Sequence, residues 1–344
     1  MEAAIAPIDA EIIVIDNKSP DDSCDMVKQL FPSVKLIENN ENSGFSKGNN
    51  MAVAQAKGEY VCILNPDTVV AEDTFTKLID FAEAKENLGI VGCQLVDGKG
   101  QFLPESKRNI PKPLVALKKL TGNDTSYYAN HIAVDAVSAV EILVGAFMFL
   151  KKDLYNIIGG FDEDYFMYGE DIDFSYKVLK AGYKNMYFGA TTSIHFKGES
   201  TLRDQHYAKR FYGAMQIFYK KHFKQNVIFN GLVWLGIKLA SKRSSYAPNM
   251  ETKAKKCYVY GMGIDKALEV QLPEATIRVT IPLDEVENDS MLIYDFNLLS
   301  AKTAIDDLKH KSKLKNIVFR FLPKNSKFIV GSDSTICRGE VMHF

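Results

Sequence analysis

Between Glu11 and about Phe196, short β-branched runs alternate with stretches whose apolar residues return every three or four positions. A period of two marks strands and a period near 3.6 marks helices, so the alternation predicts an α/β class, a mostly parallel sheet with helices on its faces. The predicted strands are Glu11 to Asp16, Val34 to Glu38, Tyr60 to Asn65, Ile90 to Val96, Glu141 to Lys151 and Met186 to Phe196. Ser19-Pro20-Asp21-Asp22-Ser23 offers caps for a helix running to about Phe31. Glu72-Asp73 opens a second helix with Phe75, Leu78, Ile79 and Ala82 on one face, and a third from Glu170 to Ala181 stops at Gly182. Lys99 to Asp135, with three prolines and little periodicity, is a long excursion of the kind that lines binding sites.

Farther on, Asp204 to Phe223 predicts a helix rich in Tyr, Phe, Lys and Arg, followed by the apolar run Val227 to Ala240. A polar stretch from about Ser241 to Lys256 reads as a linker. From Lys255 onward, strand-like runs at Cys257 to Tyr260, Met291 to Tyr294, Ile317 to Phe321 and Lys327 to Val330, with a helix near Leu299 to His310, predict a separate small α/β unit. The expected organisation is therefore 1–225, 226–254 and 255–344. Tyr260-Gly261-Met262-Gly263 follows the first strand of the last unit, but the third glycine of a dinucleotide-binding turn is absent.

Composition narrows the classes. The 344 residues carry 42 basic and 43 acidic side chains, which argues against a globally basic nucleic-acid binder and against bulk disorder. Charge is uneven, however: between Ser200 and Ser245 nine Lys or Arg face one Asp. That segment, with Trp234, reads either as a surface lying on an anionic membrane leaflet or as a helix packed within the protein. Cys24, Cys62, Cys93, Cys257 and Cys337 form no C-x-x-C pair and read as reduced thiols, which suggests a cytoplasmic home. No apolar run reaches the roughly 20 residues that a spanning helix needs.

Three acidic clusters fall at the ends of predicted strands or just after them, where open α/β sheets place ligands. In Ile15-Asp16-Asn17-Lys18-Ser19, Asp16 is either a hydrogen-bond acceptor for a nucleobase or ribose, or a turn and helix cap. In Leu64-Asn65-Pro66-Asp67-Thr68, Asp67 is either a hard ligand for Mg²⁺ or Mn²⁺ or part of a turn. Tyr168-Gly169-Glu170-Asp171-Ile172-Asp173 starts a helix, where acidic residues suit the dipole whatever the function, yet the nearby Tyr165, Phe166 and Asp162-Glu163 crowd it enough to raise a carboxyl pKa. His195 is a structural histidine unless a partner such as Asp67 faces it. The polar segment Asn42-Ser43-Gly44-Phe45-Ser46-Lys47-Gly48-Asn49-Asn50 reads as a loop leading into a helix, with glycines that let backbone approach a nucleotide.

Taken in order, I-V-I-D-N-K-S, N-S-G-F-S-K-G-N-N, L-N-P-D-T, V-G-A-F-M-F-L, G-G-F-D-E-D-Y-F-M-Y-G-E-D-I-D-F-S and I-H-F-K-G-E-S resemble the family 2 glycosyltransferases of GT-A fold, in the bacterial rhamnosyltransferase-like branch. The resemblance covers roughly residues 10 to 225. It implies a Rossmann-like nucleotide-diphospho-sugar transferase that moves a sugar, with rhamnose a candidate, from a UDP- or dTDP-linked donor to a glycan or lipid-linked acceptor in surface polysaccharide synthesis. It also implies that Asp16, Asn42, Gly44, Phe45, Gly48, Asn49 and Asn50 form the donor-nucleotide pocket. Asp67 becomes the metal-binding aspartate of a degenerate D-x-D, with Asn65 at its first position and His195 near metal and diphosphate. Asp171 becomes the base, with Glu170 and Tyr168 near the acceptor and sugar. A peripheral position on the inner membrane face follows from the acceptor class.

The resemblance also brings a departure. Relatives usually begin with a further strand and helix, and the expectation here is two unpaired sheet edges, an open donor pocket and weak activity. A non-catalytic carbohydrate-binding or assembly protein is thus the second reading, and a nucleotidyltransferase, lacking its Gly-rich basic phosphate loop, the third.

Overall fold

The structure, a computed structural model, describes residues 1–120, 123–197, 205–223, 254–261, 266–335 and 339–344. The apolar run 227–240, most of the expected linker, Gly263 and Cys337 lie outside the described residues. In chain order the first part comprises α1 (Glu2–Ile5), β1 (Ile13–Asp16), α2 (Ser23–Leu30), β2 (Lys35–Glu38), α3 (Gly44–Ala54), β3 (Tyr60–Leu64), β4 (Thr68–Val70), α4 (Thr74–Glu83), β5 (Leu88–Val96), α5 (Pro113–Leu120), β6 (Val137–Ala139), β7 (Phe147–Lys151), α6 (Lys152–Ile158), α7 (Glu170–Lys180), β8 (Lys184–His195) and α8 (Gln205–His222).

The main sheet has the order β3-β7-β5-β8-β4, with β6 also on β8. It is mixed: β5 and β8 run parallel, while β3–β7, β5–β7, β4–β8 and β6–β8 are antiparallel. Its centre is β5, buried from Gly89 to Val96 because apolar residues cover both faces. Ile90 joins the core formed with Leu143, Phe174 and Tyr187, whereas Val91, Cys93 and Leu95 join Phe75, Leu78 and Phe147 on the other face. Helix α4 supplies Phe75, Leu78 and Ala82 at the expected helical spacing.

Strands β1 and β2 form a parallel pair of their own, and among the described strands β1 pairs only with β2 and β3 only with β7. No residue of β1, α2 or β2 is fully buried. The excursion is less irregular than its sequence suggests. Pro113 starts α5, where its missing N–H costs nothing, and Arg108 makes an antiparallel bridge to Ile142. That bridge is one reason β7 begins at Phe147 and not at Glu141 as expected.

The last unit comprises β9 (Lys256–Tyr260), α9 (Lys266–Glu269), β10 (Thr276–Val279), β11 (Ser290–Asp295), α10 (Ala301–Lys311), β12 (Val318–Leu322), β13 (Phe328–Gly331) and β14 (Glu340–His343), in the sheet order β10-β9-β11-β12-β13-β14. It has its own sheet but shares a core with the first part. Ala71, Val96 and Ile194 pack in one cluster with Tyr260, Tyr294, Leu308 and Phe321. The junction is also polar. Glu72 accepts from the N–H groups of Ala301 at 2.6 Å and Lys302 at 2.9 Å, capping α10 from across the boundary, and the Lys302 ammonium pairs with Asp73. Lys309 Nζ donates to Gln94 Oε1 and Thr192 Oγ1, both at 2.9 Å. Strand β8, which ends at His195, is also part of this junction through Thr192 and Ile194.

Candidate active site

Beyond β3 the chain turns through Asn65-Pro66-Asp67, with Thr68 Oγ1 donating to the Asn65 carbonyl at 2.7 Å. Strand β4 then pairs Thr68 with His195 at the end of β8. Turn and register together bring two residues 128 positions apart face to face, with Asp67 Oδ1 3.3 Å from His195 Nε2 and Asn65 Nδ2 3.4 Å from the same nitrogen. Burial pushes the Asp67 carboxyl upward, but the hydrogen bond and charge of His195 outweigh it and leave it below the usual carboxylate range. His195 is 6% exposed, and its Nδ1 is buried without a hydrogen-bond partner.

The second cluster starts from a tight reversal. Tyr168 and Gly169 both take left-handed backbone, at φ 69° and 81°, which is costly for tyrosine and aims the first turn of α7 inward. Asp171 Oδ2 accepts from Arg108 Nη2 at 2.7 Å and from the Gly145 N–H at 3.2 Å. Glu170 beside it is 7% exposed, with Oε2 buried and unpaired, and burial together with the Asp171 charge pushes its carboxyl up to about 8. Adjacent carboxyls therefore sit differently, Asp171 bonded to the Arg108 guanidinium and Glu170 buried without a partner on Oε2, where burial favours its protonated form. The Ala146 carbonyl accepts from Asn65 N–H at 3.1 Å, so the neighbouring peptide groups of Gly145 and Ala146 tie the Asp171 and Asp67 clusters to one stretch of backbone.

The expected loop at Asn42 to Asn50 is mostly helix, because α3 begins at Gly44. Gly44 has φ 79°, and a Cβ there would lie 2.4 Å from the Phe166 carbonyl. Its close backbone approach is to this protein's own chain, and Phe45 N–H donates to the same carbonyl at 2.8 Å. A Cβ at Gly48 would likewise meet Asn17. Asn49 bonds back to the Phe45 carbonyl, and Asn42 Oδ1 accepts from Gly44 N–H. The Asn50 amide gives to Phe161 O and Glu163 and takes from Tyr155 Oη and Phe161 N–H, which uses its hydrogen-bonding capacity within the fold.

Asp16 accepts from Ser19 N–H at 3.1 Å, as a turn residue does. Burial pushes its carboxyl upward, but the bonds from Ser19, with Cys24 and Lys18, together outweigh it and lower it. Asn17, which sequence reasoning passed over, is the connector here, donating to the Gly44 carbonyl and accepting from Asn39 and Ser43. Of the aromatic run, Tyr165 is core and Phe166 is 49% exposed. Phe166 and Met167 face Ala214 and Ile217 of α8 across a groove of about 440 Å³. Tyr168 packs edge-on to Phe211 of that helix. Arg108, the other residue passed over, had no sequence signal beyond its place in the excursion.

Among the described residues no helix is long and apolar enough to cross a membrane. Nor do three His, Cys, Asp or Glu side chains converge among them as a complete metal cage. The Asp67–His195 pair nevertheless fits a hard divalent ion that keeps most positions for phosphate oxygens and water: one ionised carboxylate and one imidazole nitrogen face each other.

The pattern of glycosyl transferase family 2 matches residues 3–143. The rhamnosyltransferase WbbL of Escherichia coli K12 is 30% identical over 197 residues, spanning 54% of this chain and 72% of that protein. The N-acetylglucosaminyl-diphospho-decaprenol L-rhamnosyltransferase of Mycobacterium tuberculosis is 28% identical over 211 residues, 56% of this chain and 68% of its own. A mannosyltransferase of Pyrobaculum calidifontis, solved with GDP-Man and Mn²⁺, overlaps 69% of this chain and 67% of its own at 18% identity, with a TM-score of 0.43. The α/β architecture and these sequence relatives agree, and the chain is a transferase belonging to glycosyl transferase family 2.

Proposed function

We propose that the chain moves a sugar, rhamnose foremost, from a UDP- or dTDP-linked donor to a glycan or lipid-linked acceptor, with inversion at the anomeric carbon. The observation that supports this reading is the tie of the Asp67 and Asp171 clusters to one stretch of backbone through the consecutive residues Gly145 and Ala146; in this reading Asp67 binds the cation and Asp171 is the base. Asp67 and His195 would hold Mg²⁺ or Mn²⁺, which when bound supplies Lewis acidity for the departing diphosphate. Asp171 takes the proton of the acceptor hydroxyl as that oxygen attacks, and a positioned base of this kind contributes about 10² to 10⁴-fold. Glu170, protonated, adds no second negative charge beside it. The segment from Asn42 to Phe45, with Asp16 and Asn17, borders the donor nucleotide. The mycobacterial N-acetylglucosaminyl-diphospho-decaprenol L-rhamnosyltransferase supports a lipid-linked acceptor, and a peripheral position on an anionic membrane is part of the same proposal. A flotation assay with anionic liposomes tests that position.

Thermal melting with UDP and dTDP, with and without Mn²⁺ or Mg²⁺, tests the donor reading. Metal-dependent stabilisation lost in Asp67→Ala is the expected result, and at nucleotide concentrations of 100 Kd it amounts to about 2.7 kcal/mol. Absence of any nucleotide effect with either metal sinks it. The separation of β1–β2 from the main sheet favours a second reading, a binding or assembly protein, for which the nucleotide binds but no donor turns over.

A further inference from the structure

The excursion sends one charged side chain into the transferase core. Arg108 is 6% exposed, and both its backbone N–H and C=O bond Ile142 at 3.0 Å, which pins the excursion against the residues leading into β7. Its Nη2 donates to the Leu143 carbonyl at 2.6 Å and to Asp171 Oδ2 at 2.7 Å, and Tyr127 bonds the guanidinium from the excursion itself. Burial disfavours the arginine's charge, but Asp171 more than compensates and holds it firmly protonated. The titratable and charged groups around Asp171 are thus Arg108 and Tyr127 from the excursion and Glu170 from α7, with the Glu105–Lys197 ion pair farther off.

We propose that Arg108 is a positioning residue for sugar transfer, clamping Asp171 through Oδ2 so that the carboxylate keeps a cationic partner and one rotamer. The proposal rests on Asp171 acting as the base. A guanidinium is suited to this because it cannot surrender its proton and presents donors in a fixed fork. Without it, Asp171 and the buried Glu170 adjoin with no cation between them, and like charges that close do not both ionise near neutrality. The clamp also links chemistry to the excursion: where 107–109 and 127–129 lift away, the base loses its partner.

Rate–pH profiles of the full chain, with dTDP-rhamnose, Mn²⁺ and a synthetic N-acetylglucosaminyl-diphospho-lipid, test this on Arg108→Gln, Arg108→Lys and Asp171→Asn. Arg108→Gln is expected to lower kcat by about 10² at pH 7, to move the acid limb upward by about one pH unit or more, and to leave donor KM within about threefold. Arg108→Lys restores about tenfold of that loss and decides the matter if the glutamine variant melts. An unmoved acid limb with a uniform loss at every pH overturns the positioning role, as does an unchanged kcat. Full transfer by Asp171→Asn overturns the reading of the base, and no transfer by the wild type overturns the function beneath both.

Discussion

Replacing Glu72 by alanine probes the junction between the transferase part and the last unit. Its carboxylate caps α10 through the N–H groups of Ala301 and Lys302, and removal leaves two helix-terminal donors without that acceptor. Loss of a capping side chain costs about 1 kcal/mol, and loss of a negative charge at a helix N-terminus adds about 0.3–1 kcal/mol, so the sum is about 1.3–2 kcal/mol. Because Ala71 beside it shares a core with Leu308 and Phe321, the two units should unfold together and the whole loss should register in one transition. For a cooperative unit of 344 residues the melting point then falls by about 2–3 °C. Calorimetry reads both quantities, the shift and the number of transitions. Two resolved transitions, with only the later chain's unit affected, would refute the shared core, and a shift below about 1 °C would refute the cap.

Glu170 gives a pH test with a definite sign. Its folded carboxyl is raised from the ordinary 4.5 to about 8, so the folded state holds a proton that the unfolded state releases, and stability falls as pH rises through that interval. Glu170→Gln should flatten this slope, gaining stability at pH 8 relative to wild type and little at pH 4.5 in urea unfolding; parallel slopes would show that the carboxyl is solvated. Asn50→Ala removes the donor to the Phe161 carbonyl, the shorter acceptor of the Phe161 N–H, which keeps only Tyr155 Oη at 3.4 Å, and the Tyr155 hydroxyl's acceptor, and should cost about 1–3 kcal/mol while leaving the metal-dependent nucleotide effect in place. A loss of nucleotide binding larger than the loss of stability would return Asn50 to the donor pocket.

How much of this was readable in advance follows from what each residue depends on. The strands at Ile13, Lys35, Tyr60, Leu88 and Lys184 follow from β-branched runs that no partner had to complete. Asp67 and His195 were each legible, but their meeting is a matter of β4–β8 register, which a sequence does not print. The strand expected from Glu141 shortened because Ile142 bridges Arg108 and Gly145 N–H serves Asp171, both tertiary partners. Pro113 did announce α5, in the position where proline starts helices, but the surrounding prolines masked it. Strand β10 escaped notice although Ile277, Val279 and Ile281 alternate with Arg278 and Thr280, because it is a four-residue edge with two exposed residues that needs β9 to complete it. Arg108 and Asn17 are legible only in three dimensions, since a single charge and a single amide carry no period.

The shared core also sets a timetable for synthesis. Ala71 and Phe321 lie 250 residues apart in the chain, and at ribosomal rates of about 5–20 residues per second that interval takes about 12–50 s. Through that time the apolar surface that forms around Ala71, Val96 and, once it is made, Ile194 waits for α10 and β12 to cover it, and by its sequence separation the contact is among the last to close. The nascent transferase part therefore emerges as a client for chaperones on the very face that later steadies the strand bearing His195.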